Sequence, residues 1–429
     1  MDLLVKNAAL RNTRGKEKVD IGIENGMIKE ISPSITIQAK RQIDADGKMV
    51  SPPFVDPHLH LDATMTAGDP NFNQSGTLLE GIQIWAEKKK DITVEDIKQR
   101  AKQAIKWELA HGTQHIRTHA DASNPDMTSV KALTQLRDEL KDVVDIQVVA
   151  FPQDGIFAHE NGERLLKEAL DRGADVVGGI PHNELTREDG VKDVELVFEL
   201  AKEYNKIIDV HCDETDDEHS RFIEVMAALT IKYGFHGQVT ASHTTAMHSY
   251  NNAYASKLMG ILKRADFNII TNPFCNIILQ ARGDSYPKRR GITRVDELLE
   301  NDVNVGIGHD CILDPWYPLG KGSMLEAASM LLHVSQLTGY QEIYQVFDLI
   351  TDNSAKILNI QDHYGIKEGN PANMIILNAA NEYEAIRKNA ACLYSIRHGN
   401  IIVEGQPSIS RIKAEPLKAE PVDFNFSRV

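Results

Sequence analysis

The sequence is poor in cysteine, in basic residues and in long apolar runs, and each shortage excludes a class of protein. Its four cysteines in 429 residues show no C-x-x-C spacing, which argues against a zinc ribbon or a disulfide scaffold and predicts reduced thiols. The formal net charge of −15 disfavours nucleic acid and anionic membranes as partners, because both require a basic surface. No run reaches the length of a membrane span, and the opening MDLLVKNAALRN lacks the apolar core of a secretion signal. We therefore expect a cytoplasmic protein with no membrane or nucleic-acid partner.

The composition that remains is that of a globular protein, with 42% hydrophobic and 25% charged residues. The length suits one large domain or two to three ordinary ones. Both ends of the chain have the pattern of β structure. Residues 19–31, VDIGIENGMIKEI, alternate apolar and polar side chains around Asn25-Gly26, a two-residue hairpin signal. Near the other end, the segment CLYSIRHGNIIVEG shows similar short alternating strands and predicts a turn at Gly399-Asn400.

Between these ends, strand-like and helical patterns alternate. After a wide first gap the strand-like runs recur about every thirty residues, and they begin near Phe54, His115, Asp145, Asp175, Ile207, Gln238, Asn268 and Val303. Amphipathic patterns predict helices over residues 94–110, 162–172, 191–204, 222–233 and 323–337. This alternation predicts an α/β protein with a parallel (β/α)₈ TIM-like barrel over residues 53–367. Residues 1–52 and 368–429 are predicted to form a small β-sandwich together.

The reactive residues of such a barrel belong at the carboxyl ends of its strands, and the sequence places polar side chains there. The first strand ends in His58 and His60, whose spacing of two puts both imidazoles on one face of an extended chain, where they can share an ion. The other polar strand ends are Gln153, His211 with Glu214, His243 and Asp310. A single strand-end histidine is usually structural, and His119 is interpreted as supporting the ligands from behind. The combination predicts a metal site.

Longer motifs carry a family resemblance over essentially the whole chain. The segments FVDPHLHLD, VHCDE, TASHTTAMHSYN, GHD and DPWYPLG resemble the bacterial cytosine deaminases of the amidohydrolase superfamily. The likeness extends to NQSGTL, QHIRTHAD, VAFPQDGI, PKRRGITRV and LITDNSAKILN. The resemblance implies a barrel with a β-sandwich, a homo-oligomer, and hydrolytic release of ammonia from a small-molecule pyrimidine base.

The resemblance also implies roles for single residues. It implies one divalent metal ion, Fe²⁺ or Zn²⁺, with four ligands, namely His58, His60, His211 and Asp310. It implies Glu214 as proton shuttle, His243 and Asp310 as partners of the attacking water, and Gln153 as the reader of the pyrimidine amide edge. Trp316 is expected to form an apolar wall of the pocket. Taken alone, Gln153 would be interpreted as an exposed loop residue and Trp316 as core packing.

One position, Cys311 in GHDCILDPW, departs from the family pattern, in which a second aspartate follows the metal-binding one. That carboxylate faces the edge of the pyrimidine near C5, where a hydrated charge penalises an apolar substituent. A thiol is uncharged and polarisable, so we predict that Cys311 admits the methyl group of 5-methylcytosine. The open alternatives are a neutral replacement that leaves cytosine preferred, a relaxed pocket, a fifth metal ligand, and a redox-sensitive thiol for which the sequence supplies no partner.

Other functions remain open on the same fold. Cyclic-amide hydrolases such as dihydroorotase commonly use two metals bridged by a modified lysine on the fourth strand, whereas that strand here reads DVVGGIPHNE, without lysine. A deaminase of isoguanine or of another amino-heterocycle is a closer alternative. A binding protein without catalysis should have lost the proton shuttle or a metal ligand, and both are present. The basic loop YPKRRGITR, residues 286–294, is interpreted as a subunit contact, a lid or plain surface.

Overall fold

The computed structural model describes residues 1–425, and its strands form two sheets. The strands that precede the barrel are β1 (Leu3–Leu10), β2 (Lys18–Glu24), β3 (Met27–Ser32), β4 (Arg41–Asp44) and β5 (Met49–Ser51). The barrel strands are β6 (Phe54–Leu59), β7 (Thr113–Asp121), β8 (Asp145–Phe151), β9 (Val176–Val177), β10 (Ile207–Cys212), β11 (Val239–His243), β12 (Asn268–Thr271) and β13 (Asn304–Ile307). The last three strands are β14 (Met374–Leu377), β15 (Cys392–Arg397) and β16 (Asn400–Glu404).

The barrel predicted from the strand spacing is confirmed. Strands β6 to β13 lie side by side in chain order and every neighbouring pair is parallel. The first and last strands approach each other where Leu59 forms a parallel bridge with Asp310. Strand β9 keeps only two residues and is followed by Gly178, where a Cβ would stand 2.5 Å from the Ala150 carbonyl oxygen. The carboxyl ends of all eight strands therefore face one side of the molecule.

Helices alternate with these strands as predicted. They are α1 (Leu78–Lys88), α2 (Val94–His111), α3 (Thr128–Leu140), α4 (Gly162–Asp171), α5 (Arg187–Tyr204), α6 (Phe222–Tyr233), α7 (Asn252–Ala265), α8 (Pro273–Leu279), α9 (Val295–Glu300), α10 (Met324–Val334), α11 (Tyr340–Leu349), α12 (Asp352–Ile357) and α13 (Glu382–Lys388). Helix α2 begins where the Thr93 side chain accepts from the Asp96 amide and ends at Gly112 with φ 101°, both expected from their residue types. Helix α5 begins earlier than expected because Thr186 caps it by accepting from the Asp189 amide.

The two ends of the chain form one mixed sheet in the order β16-β15-β14-β5-β1-β2-β3, and β4 also pairs with β1. The predicted hairpin turn is confirmed, because Asn25 and Gly26 have φ values of 52° and 76°. The second predicted turn is wrong by one residue. Its turn residues are His398 and Gly399, with φ 47° and 73°, and Asn400 already pairs with Arg397 in the sheet. The last four residues of the predicted sandwich, 426–429, lie outside the described residues.

The sheet rests on the barrel through a buried polar contact. The side-chain amide of Gln114, on β7, donates to the Ser395 hydroxyl and to the Ile396 carbonyl oxygen, each at 2.9 Å. All four cysteines are free thiols and all are buried. Among the helices of residues 1–425, none combines the length and the apolarity that a membrane span requires.

Candidate active site

The four predicted metal ligands converge at the carboxyl end of the barrel. The Nε2 atoms of His58 and His60 lie 3.4 and 3.5 Å from Oδ1 of Asp310. The Nε2 atoms of His60 and His211 are 3.2 Å apart. The four side chains come from the end of β6 and the residue after it, from β10 and from the segment after β13. These are the first, fifth and eighth strands of the barrel, which are distant in sequence and meet at its carboxyl end.

This spacing fits a divalent ion. Nitrogen and oxygen ligands held about 2.0–2.2 Å from one ion that keeps a further position for water stand about 3.0–3.6 Å from one another, a range that includes the distances observed. The Nε2 atom of His58 is buried and has no hydrogen-bond partner among the described residues. A buried polar atom without a partner is costly, and an ion at this point would satisfy it. The donor set of three imidazoles and one carboxylate suits iron or zinc.

The electrostatics keep the ligands in the forms that bind metal. Burial, together with the neighbouring imidazoles, lowers the pKa of His58 to about 4, and the same causes hold the pKa of His211 well below its usual range. Burial alone would raise the pKa of Asp310, but the surrounding imidazoles, first that of His243, hold it well below its usual range. His58 and His211 are therefore neutral and Asp310 is ionised at neutral pH.

A buried chain of hydrogen bonds sets the tautomer of His58. The Ser242 hydroxyl donates to Asp209 at 2.7 Å, so its oxygen accepts from Nδ1 of His58 at 3.0 Å. Asp209 is itself held by Arg117 at 2.9 Å, and both side chains are fully buried. With its proton on Nδ1, His58 turns an unprotonated Nε2 towards the point where the four predicted ligands converge, an arrangement typical of groups that support a metal ligand.

His119, interpreted from sequence as a support for the predicted ligands, lies against the ring of His58. Its ring centroid is 4.0 Å from that of His58, and it is fully buried. Neither of its ring nitrogens has a hydrogen-bond partner among the described residues. Burial holds its pKa well below the usual range, so it contacts the ligands as a neutral ring.

The backbone after β13 explains how Asp310 and Cys311 come to face the same space. Neighbouring residues of a strand point to opposite faces, but Asp310 has φ 70°, in the left-handed region that non-glycine residues seldom occupy. This turn breaks the alternation, so both side chains line one cavity. Gly308 is required just before it, because a Cβ there would stand 2.6 Å from Cβ of His58.

The predicted acid–base residues lie against each other beside the ligands. Oε1 of Glu214 is 3.3 Å from Nδ1 of His243, and the Asn276 side-chain amide donates to the same nitrogen at 2.9 Å. Burial, and next the charge of Asp310, raise the pKa of Glu214 well above its usual range. Burial lowers the pKa of His243 to about 3. Burial thus favours the uncharged form of both groups, and a protonated Glu214 would have a proton to donate.

A cavity of about 210 Å³ opens at this point. It is lined by every predicted site residue except His58, which lies fully buried behind the others. The side-chain amide of Gln153 reaches the cavity and takes no hydrogen bond within residues 1–425. Trp316 forms a wall, and helix α1 packs on its indole so closely that a Cβ at Gly81 would stand 2.6 Å from the ring.

Several cavity residues were not singled out from the sequence. Phe151 stacks on His211 with ring centroids 4.1 Å apart, which only its place at the end of β8 could have suggested. His182 lies in the 3₁₀ turn Pro181–Asn183 after β9, and burial lowers its pKa to about 4. The remaining cavity residues that the sequence did not indicate are Leu78, Leu79, Ile82, Ile180, Asn183, Thr215 and Leu279. Residues 286–294 do not line the cavity.

The thiol of Cys311 lies close to a second thiol, which the sequence patterns did not predict. Cys275, in the first turn of α8, contributes a sulfur within 4.8 Å of both the Cys311 sulfur and a carboxylate oxygen of Asp310. Both thiols are buried, and burial raises the pKa of each well above its usual range. Both thiols are therefore uncharged in the metal-free protein.

Comparisons with known proteins agree with this fold. The model of the amidohydrolase family matches residues 41–407. N-isopropylammelide isopropyl amidohydrolase of Pseudomonas sp. (strain ADP) is 32% identical over 416 residues, 94% of this chain and 98% of that protein. The crystal structure of 5-methylcytosine deaminase from Klebsiella pneumoniae liganded with 5-fluorocytosine superimposes with a TM-score of 0.93 at 46% identity, covering 95% of this chain and 99% of that one. Pterin deaminase of Rhizobium rhizogenes is 26% identical over 404 residues, 92% of this chain and 90% of that protein.

Proposed function

Because this chain belongs to the amidohydrolase family, we propose that it is a metal-dependent hydrolytic deaminase of a free pyrimidine base. The reaction converts 5-methylcytosine to thymine, and/or cytosine to uracil, with release of ammonia. The observation that carries the proposal is the convergence of three imidazoles and the Asp310 carboxylate beside the buried Glu214. The likeness to the Klebsiella pneumoniae enzyme at 46% identity supports the choice of base.

We propose His58, His60, His211 and Asp310 as the ligands of one divalent ion, iron or zinc. When bound, such an ion supplies Lewis acidity that makes water a strong nucleophile near neutral pH, by lowering its pKa towards ~7. His58 contributes an unprotonated Nε2 because Ser242 accepts from its other nitrogen. Phe151 stacks on His211 and fixes the plane of that ring.

The proton steps follow from the charges of the surrounding groups. Asp310 is ionised and can accept a proton from the water that attacks C4 of the base. His243, a neutral ring that lines the same cavity, is proposed to hydrogen-bond that water. Glu214 is protonated and can donate to N3 as the C4–O bond forms. It can then take up the proton of the new C4 hydroxyl and deliver it to the exocyclic nitrogen, so that the C4–N bond breaks, the C4=O bond forms and neutral ammonia leaves. The proton left on Asp310 returns through solvent to Glu214, and both carboxyl groups regain their starting forms.

Binding of the base is assigned to three side chains around the cavity. Gln153 offers a donor and an acceptor on one amide, which suits a ring that presents N–H beside C=O. Trp316 supplies an apolar wall. Cys311 is proposed to face C5, where its uncharged sulfur can contact a methyl group without stripping water from a charge.

The test is a panel of substrates given to enzyme loaded with iron or with zinc. Ammonia release is measured for cytosine, 5-methylcytosine, 5-fluorocytosine and isoguanine, isopropylamine release is measured for N-isopropylammelide, and ring opening is measured for dihydroorotate. The proposal expects ammonia from the cytosines, with 5-methylcytosine among the best substrates. Release from isoguanine alone, or ring opening of dihydroorotate, would replace the pyrimidine-base proposal with one of the two alternatives on this fold.

The remaining assignments are proposals with their own support. A homo-oligomer and a cytoplasmic location are proposed, and four free thiols in the chain agree with the latter. We also propose the division into a catalytic unit of residues 53–367 and a sheet unit of residues 1–52 and 368–429, whose boundaries fall between β5 and β6 and before β14. Light scattering of the purified chain and limited proteolysis test the assembly and the boundaries.

A further inference from the structure

The paired thiols beside the ligand site form a cluster that the proposed reaction does not use as a pair. The sulfurs of Cys275 and Cys311 and a carboxylate oxygen of Asp310 all lie within 4.8 Å of one another. Cys275 is 1% exposed and Cys311 is 3% exposed. Cys311 also lines the cavity, so a small ion that enters with solvent can reach the cluster.

We propose that Cys275, Cys311 and Asp310 form a second cation site that is selective for thiophilic divalent ions, such as Cd²⁺ or excess Zn²⁺. Thiolate ligands select soft and borderline ions, whereas carboxylate and water ligands suit magnesium, calcium and manganese. Two sulfurs and one carboxylate leave a fourth position open towards the cavity, as in a tetrahedral site that keeps one exchangeable ligand. Each thiol releases its proton to solvent as its bond to the ion forms.

Occupancy of this site should stop turnover. Asp310 is also proposed to bind the resident ion and to accept the proton of the attacking water, and a second ion on its carboxylate would compete for both tasks. The same ion would hold the Cys311 sulfur that is proposed to face the base. Inhibition thus rests on the proposed function, whereas binding of the second ion does not.

The experiment titrates Cd²⁺ into the full-length protein loaded with one equivalent of its resident ion. Two readouts need no substrate, namely the ultraviolet thiolate-to-cadmium absorption band and the number of ions of each metal retained per chain after dialysis. We expect one Cd²⁺ per chain in addition to the resident ion, together with inhibition of ammonia release that a chelator reverses. Mg²⁺ at the same concentration should produce neither effect.

The variant Cys275→Ser removes one sulfur and leaves the proposed catalytic residues unchanged. Its affinity for the second ion should fall by at least about tenfold, since even partners behind a ligand are worth 10–100-fold. Cys392→Ser is the matched control, because Cys392 is buried in the mixed sheet, where its thiol donates to the Tyr394 carbonyl oxygen. This control should bind Cd²⁺ as the native protein does.

Three results would overturn the proposal. The first is Cd²⁺ that replaces the resident ion one for one, and the second is equal Cd²⁺ binding by the native protein and Cys275→Ser. If that variant does not fold, X-ray absorption of the cadmium-loaded native protein decides, with two sulfur neighbours expected around the added ion. The third contrary result is a cadmium environment without sulfur in that measurement. Binding without inhibition would keep the site and count against the proposed role of Asp310 in turnover.

Discussion

Replacing Cys311 by aspartate should shift the preference of the enzyme from 5-methylcytosine towards cytosine. Cys311 is 3% exposed, follows Asp310 directly and lines the cavity. An aspartate here would place a second carboxylate beside the first, and this group would keep water that a methyl group must displace. Burying one methyl is worth about 0.8 kcal/mol, and one methylene typically discriminates by about 1–3 kcal/mol. The range of about 1–3 kcal/mol corresponds to a change of about 5- to 150-fold in relative specificity.

The assay is kcat/KM for both bases in the native enzyme, in Cys311→Asp and in Cys311→Ser. Serine is close in shape to cysteine and uncharged, so it separates the effect of charge from the effect of size, and its shift should be the smaller one. Metal content is measured for each variant, because a carboxylate beside Asp310 could change ion binding by itself. A native enzyme that strongly favours cytosine, with the same ratio in Cys311→Asp, would refute the reasoning.

Three further predictions concern single side chains. Glu214→Gln should lower kcat by about 10²–10⁴-fold while base binding, measured by calorimetry, persists. Because burial raises the pKa of Glu214, the contribution of Glu214 to the stability of the metal-free protein should fall as pH rises above about 4.3. At pH 7 the metal-free Glu214→Gln variant should therefore have a melting temperature equal to or higher than that of the native protein, and this difference should shrink towards pH 4. A lower melting temperature of the variant at pH 7 would contradict this. Ser242→Ala should weaken metal affinity by about 10–100-fold in chelator competition, whereas Ser242→Thr keeps the hydroxyl and serves as control; equal affinities would remove the role given to the hydroxyl. Gln153→Leu should cost about 1–3 kcal/mol in kcat/KM by leaving polar atoms of the base unpaired, and an unchanged value would exclude Gln153 from the pocket.

The barrel could be predicted from the sequence because patterns of neighbouring residues indicate each of its strands and helices. The strand-like runs that begin near Phe54 and Ile207 are strands in the structure, and the predicted helix over residues 222–233 has the observed bounds. The convergence of the four proposed ligands could be predicted for the same reason, since the carboxyl ends of parallel strands meet at one face. A two-residue spacing such as that of His58 and His60 needs no knowledge of distant contacts.

What the sequence could not predict depends on contacts between distant segments. Cys275 and Cys311 are neighbours only because the first turn of α8 lies against the segment after β13. The shared orientation of Asp310 and Cys311 depends on a φ of 70°, which no residue type in GHDC demands. The chain from His58 through Ser242 to Asp209 crosses from β6 to β11 and β10, and strand-end patterns do not reveal hydrogen bonds between strands.

The most direct measurement is ammonia release from 5-methylcytosine by the purified protein before and after its metal is stripped and one equivalent of iron or zinc is restored. Release that is lost with the ion, returns with it, and does not return in a His211→Asn variant is the predicted result. Release that persists without metal, or its absence from fully loaded protein, would contradict the account of a hydrolytic deaminase built on His58, His60, His211 and Asp310.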